Sequence, residues 1–185
     1  MRIHITGASG AGTTTLGKAV ASQLSLPHLD ADSYDWLPTS PPFKDKRSSS
    51  ARLALLRDDL ASPLGVVLSG SIVGWGPDIE GIFDLVVFLY LPADIRIARL
   101  RARELARDGA ADPAFLDWAA QYDEGPSEGR SLAKHEAWLA NLVCPVLRLD
   151  QDQTVEERAR NVLRALTSLN RSEYGGPSGP PYSLG

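Results

Sequence analysis

Gly7-Ala8-Ser9-Gly10-Ala11-Gly12-Thr13-Thr14-Thr15 follows the apolar run Ile3-His4-Ile5 and precedes a helical pattern that opens near Thr13. A glycine-rich turn between a buried strand and a helix N-terminus gathers backbone N–H groups around an anion, and the positive end of the helix dipole reinforces them. Gly7, Gly12 and Thr14 fit the spacing G-x-x-x-x-G-K-[ST] at every fixed position but the lysine. Thr13 stands there instead, one neutral donor in place of a point charge. Lys18 is no substitute, lying roughly 7.5 Å along the helix and about 140° around it. A replacement cation must come from elsewhere in the fold. Gly7, Ser9, Gly10, Ala11, Gly12, Thr13, Thr14 and Thr15 are therefore the expected nucleotide-binding set, with the Thr14 hydroxyl on the Mg²⁺ side.

Two other readings of the stretch compete with this one. A run of small residues can be no more than a tight turn with Thr13 as N-cap. A dinucleotide fingerprint needs G-x-G-x-x-G, whereas these glycines run G-x-x-G-x-G, although Asp30 lies about where a ribose-binding acid would fall. The triple threonine after the last glycine suits Mg²⁺ and phosphate better.

A chain of 185 residues holds one α/β domain comfortably, and two would be cramped. The net charge of −4 argues against a nucleic-acid partner, which calls for a basic face. Cys144 is the single cysteine, which excludes an internal disulfide and a cysteine metal site; its setting reads as a packing position. The longest apolar run, Leu85 to Leu91, is far below the ~18 residues of a membrane span, and the start has no signal-peptide pattern. The expectation is a cytoplasmic protein, monomeric or homodimeric.

Apolar periodicity predicts strands near residues 2–6, 28–30, 66–69, 84–91 and 146–149, with helices near 13–24, 49–61, from 93, 113–122, 131–142 and 154–169. Thr154 with Glu157 makes a capping box for the last. Residues 31–47 read as a long irregular stretch in which aromatics alternate with cations, and 72–82 as a loop that is not regular throughout. A turn is expected at 124–129, and a disordered tail at 170–185, rich in Gly, Pro and Ser. Strands alternating with helices imply a three-layer α/β/α sandwich around a five-stranded parallel sheet, whose ligands bind outside the strands' carboxyl ends. The glycine loop, Asp30/Asp32 and Ser69-Gly70-Ser71 should converge there.

Phosphoryl transfer needs a cradle, Mg²⁺, a group to orient or deprotonate the acceptor, and cations around the migrating charge. Thr14 and Asp30 are the candidate metal residues and Asp32 the candidate base; the plainer reading of the two acids is an Asx turn. Arg96, Arg99 and Arg103 share a helical face, of which Arg99 and Arg103 are chosen as catalytic cations, with Arg130 and Lys134 behind them. Tyr34, Trp36, Lys44, Arg47, Gly70 and Ser71, with Lys46 and Phe43 nearby, are the expected acceptor-binding residues.

With these parts together, the chain resembles the nucleoside-monophosphate kinase and shikimate kinase branch of P-loop proteins, which have the P-loop nucleoside triphosphate hydrolase fold. The likeness rests on the Gly7 to Thr14 loop, His28-Leu29-Asp30-Ala31-Asp32, and Leu91-Pro92-Ala93-Asp94 leading to Arg99 and Arg103. It extends over most of residues 1–169. It implies ATP and Mg²⁺ as cofactors, Asp30 beside the metal, Asp32 on the accepting hydroxyl, and Asp150 to Gln153 near the adenine. It also implies an acceptor-binding insertion at about 32–62 and a lid at about 104–134. The three threonines, the Pro-Pro-Phe-Lys block and Ser69-Gly70-Ser71 are similar to a bacterial group of adenylate-kinase-like ATPases. Ser69-Gly70-Ser71 stands where shikimate kinase has three glycines, which argues against shikimate as acceptor. The expected activity is ATP-dependent phosphorylation of a small-molecule hydroxyl or phosphate. The alternatives are a nucleotide-binding switch that kept the cradle and lost turnover, and, less favoured, a dinucleotide oxidoreductase.

Overall fold

Five parallel strands in the order β2-β3-β1-β4-β5 form the sheet of this computed structural model, which describes residues 1–40, 43–125 and 129–174. They are β1 (Arg2–Gly7), β2 (His28–Asp30), β3 (Val66–Ser69), β4 (Leu85–Leu89) and β5 (Val146–Leu149). The helices are α1 (Thr13–Leu24), α2 (Ala31–Asp35), α3 (Ser49–Leu60), α4 (Pro77–Glu80), α5 (Ala93–Asp108), α6 (Pro113–Ala120), α7 (Leu132–Leu139) and α8 (Val155–Tyr174). Register pairs Ile5 with Ser69 and Val87, and Ser69 with Asp30. The first bends after β1, β2 and β3 therefore leave the sheet side by side.

Burial on both faces explains why β3 and β4 are apolar without alternation. Under one face, Leu16, Val20 and Ala21 of α1 meet Ala159, Val162 and Leu166 of α8 across Ile3, Ile5, Val67 and Val87. On the other, Leu56 and Leu60 of α3 and Trp138 and Leu139 of α7 pack on Val66, Leu68, Val86 and Phe88. Cys144 is half-buried against this second cluster, where burial pushes its thiol up. Among the described residues no helix is long and apolar enough to cross a membrane.

Three features differ from the sequence expectation. Residues 31–35, read as irregular, form α2, because the Asp30 carboxylate accepts from the Asp32 N–H at 3.1 Å and caps a single turn. Pro77–Glu80 is likewise one helical turn inside the 72–82 loop. The last helix does not stop at 169 but continues through Asn170 to Tyr174. Its apolar stripe ends at Leu169, yet no glycine or proline appears before Gly175, so the backbone has no cause to break earlier. The predicted tail from 175 to 185, Pro41-Pro42 of the basic loop, and Pro126-Ser127-Glu128 of the expected turn lie outside the described residues. The capping box is formed: the Glu157 carboxylate accepts from the Thr154 N–H at 2.9 Å, and the Thr154 hydroxyl accepts from the Glu157 N–H at 3.2 Å.

Candidate active site

The loop between β1 and α1 is an open ring of amides. Ala11 N–H bonds back to Ala8 O at 3.1 Å and Leu16 N–H to Gly12 O at 3.0 Å. The N–H groups of Ser9, Gly10, Gly12, Thr13 and Thr14 have no acceptor among the described residues. Unpaired N–H groups in a glycine-rich turn at a helix N-terminus are of the kind that can bind an oxyanion. Gly10 is dictated by packing as well as by its φ of +83°, since a Cβ there would lie 2.6 Å from the Arg96 carbonyl oxygen.

Thr14 Oγ1 donates to Asp30 Oδ2 at 2.9 Å, while Asp30 Oδ1 caps α2. The Asx reading of Asp30 thus holds, and the same carboxylate reaches the loop with its other oxygen. Thr14 and Asp30 offer hard oxygen donors of the type that binds Mg²⁺ together with nucleotide phosphates and water, a site that needs few protein ligands. Among the described residues no cluster of three or more His, Cys, Asp or Glu could hold a metal by itself.

Asp32 is half exposed and faces Arg130, whose guanidinium is 3.9 Å away. Desolvation raises its carboxyl above the usual range; Arg130 opposes this most strongly, Asp30 and Asp35 add to it, and Arg103 opposes it. Arg130 therefore lies beside the acid, while Arg103 acts on it only as the weakest of these charges. Arg130 also stands over the Trp118 ring and, with Ser9, Trp118, Ala119 and Tyr122, lines a narrow cleft beside the loop. A wider, shallow depression among Arg160, Leu163, Arg164, Thr167, Ser168 and Arg171 is lined by α8 alone and shares no residue with that cleft.

His135 of α7 is a buried hub. Its Nε2 is 3.0 Å from Ser71 Oγ and 3.3 Å from Thr6 Oγ1, and its Nδ1 is 2.7 Å from the Tyr122 hydroxyl. Burial lowers its pKa to about 4, Arg130 lowers it further and Glu136 opposes, so the imidazole is neutral. One ring therefore ties the strand before the phosphate loop, the bend after β3 and the segment after α6.

Tyr34 sits elsewhere, and most of the other expected residues have partners of their own within the fold. Tyr34 is buried in the core and donates its hydroxyl to Asp59, so it braces α2 on α3 and presents no acceptor-binding group. Arg47 donates Nε to the Tyr34 carbonyl, Lys46 pairs with Asp35 across the Trp36 ring, and Lys44 is exposed. Arg96, Arg99 and Arg103, grouped on one face by sequence, have separate partners. Arg96 is fully buried, donating to Leu91 O, Ala119 O and Asp123; Arg99 pairs with Asp152 beyond β5; Arg103 touches Glu104. Lys134 donates to Gly129 O. Gly70 donates its N–H to Ile5 O, setting Ser71 beside the end of β1.

His135 and Arg158 were not singled out from sequence. His135 falls on the stripe of Trp138, Leu139 and Leu142, and Arg158 on that of Val162 and Leu166. A polar residue on a core stripe is the signal that identifies such groups.

A search of family models finds no match. Among curated proteins, the chain is 46% identical over 176 residues to the protein named Uncharacterized protein YqaC of Bacillus subtilis (strain 168), covering 90% of this chain and 97% of that one. The chain belongs to the YqaC family. Solved structures similar to it share the fold of P-loop small-molecule kinases. Shikimate kinase from Acinetobacter baumannii, crystallised with shikimate, superposes with a TM-score of 0.61 at 16% identity, covering 90% of this chain and 93% of that one. A gluconokinase from Sinorhizobium meliloti 1021 gives a TM-score of 0.57 at 21% identity over 94% and 95%. This YqaC-family chain is thus built on the kinase scaffold, with a threonine at the loop's lysine position.

Proposed function

We propose that the protein transfers the γ-phosphoryl group of ATP, with Mg²⁺, to a hydroxyl or phosphate of a small molecule. The observation that carries this reading is the pairing at the strand ends: Thr14 bonded to Asp30 on the loop side, and Asp32 opposite Arg130 on the other. The loop amides of Ser9, Gly10, Gly12, Thr13 and Thr14 hold the β- and γ-phosphates. Thr14 and Asp30 would hold Mg²⁺, which would supply positive charge to the phosphates. Asp32 accepts the proton of the attacking hydroxyl as the new O–P bond forms and the bond to the β-phosphate oxygen breaks. Arg103 and Arg130 balance the charge that spreads over the transferring group. Ser71, oriented by neutral His135, with Gly70, Trp36, Lys44 and Arg47, forms the acceptor side. Arg99, bound to Asp152, acts near the adenine end. The reading assigns a cytoplasmic protein with a small-molecule acceptor and no nucleic-acid or membrane partner.

Thr13 favours one rival, a nucleotide-binding switch with little turnover. Titration calorimetry with ATP, with and without Mg²⁺, and transfer of labelled γ-phosphate across a metabolite panel separate the two. Micromolar binding with a labelled product establishes the kinase. Binding with no product on any acceptor favours the switch, and absence of ATP binding refutes both.

A further inference from the structure

Arg158, in the first turns of α8, is buried to 3% exposure, yet forms no ion pair among the described residues. Its Nη1 donates to the carbonyl of Ala11 at 2.9 Å and its Nη2 to the carbonyl of Gln151 at 2.8 Å, while Nε has no partner among the described residues. The nearest helpful carboxylate, Asp152, is engaged by Arg99, itself a positive neighbour of Arg158. A buried cation near a helix N-terminus is disfavoured twice, by desolvation and by the dipole, and two carbonyl hydrogen bonds offset only part of that. Stability alone does not account for it.

Its position does. A Cβ on Gly12 would be 3.6 Å from Nη1, so the guanidinium lies directly beneath the loop's last glycine. In a trans peptide the carbonyl and the following N–H point in opposite directions. With the Ala11 carbonyl turned toward Arg158, the Gly12 N–H points into the cradle. We propose that Arg158 is the fixed cation serving this phosphate loop in place of the missing lysine, acting from behind through the Ala11–Gly12 peptide. It orients that amide and adds a full positive charge one peptide layer from the anion, from a side chain itself withdrawn from water. It is a positioning residue: the lysine of the ordinary motif touches phosphate, and Arg158 does not. The inference rests on the nucleotide-binding reading above.

The test measures ATP and adenosine affinity by calorimetry for the full chain and for R158Q, R158K, T13K and R158Q/T13K, with folding checked by circular dichroism. R158Q keeps a donor for the carbonyl and removes the charge. It is expected to weaken ATP by ~10- to 100-fold, the scale of one charge interaction, while adenosine changes less than about threefold. R158K should retain most of the ATP affinity, and T13K should restore it in R158Q, a rescue that a purely structural role would not give. Folded R158Q binding ATP like the parent overturns the proposal, as does equal loss of ATP and adenosine without rescue. If R158Q does not fold, T13K alone decides: a gain above about tenfold means the loop lacked a cation and overturns it, and a gain below about threefold supports it. Failure of the parent chain to bind ATP is a different result, which removes the nucleotide reading itself.

Discussion

On the proposed reading, Asp32 is the residue on which the chemistry turns. Replacing it by Asn should lower turnover by ~10²-fold or more with the fold intact, as expected for a general base, and steady-state kinetics beside a melting curve check this. A base works ionised, so activity falls as pH drops through its pKa. Because that pKa is raised by desolvation, the acid limb of kcat/KM should lie above the ordinary aspartate range. Arg130 supplies the largest opposing effect, so Arg130→Met should move the limb to still higher pH; a limb that stays put removes Asp32 from the role. At this scale the loop was legible because glycine spacing is a backbone requirement written in the sequence. Tyr34 was misassigned because an aromatic near an acid looks alike whether it faces a cleft or, as here, Asp59 of α3. His135 and Arg158 were overlooked because their partners, Ser71 and Ala11, are remote in sequence.

Elements hold the site through a few buried polar ties. Arg96, on the buried stripe Arg96, Leu100 and Glu104 of α5, fastens α6 through Ala119 and the segment after it through Asp123. Arg96→Met leaves those acceptors unpaired and should destabilise the protein by ~3–5 kcal/mol in chemical denaturation, with hydrogen exchange rising first over residues 113–123. His135→Phe keeps the ring's bulk but strands the Tyr122, Ser71 and Thr6 hydroxyls, at a cost of about 1–3 kcal/mol. The long elements were readable from period alone. Single-turn α2 and α4 were not, since one turn carries no period, and α8 outran its stripe for want of a breaker.

Across the whole molecule, a parallel sheet followed from the alternation of strand and helix, whereas strand order and register, which carry three distant bends to one end of the sheet, are seen only in the structure. The same tight interior makes stability depend on pH. His4 and His135 are buried and neutral, with pKa values lowered to about 3 and about 4, chiefly by desolvation. An unfolded histidine takes a proton below about 6.5, while these wait for far more acid. Stability is therefore complete above pH 6.5 and is lost as pH falls toward the folded values, with His135 alone accounting for roughly 3 kcal/mol. Melting temperature measured from pH 8 to 4 should decline below 6.5, and His135→Phe should flatten part of that slope. The double grip of Arg96 also couples two helices that differ in sequence position: α5 is tied to the end of α6 and to the segment after it through one buried guanidinium. Spin labels at exposed positions of α5 and α6 should therefore keep their mutual spacing when nucleotide is added, and Arg96→Met should broaden the distribution.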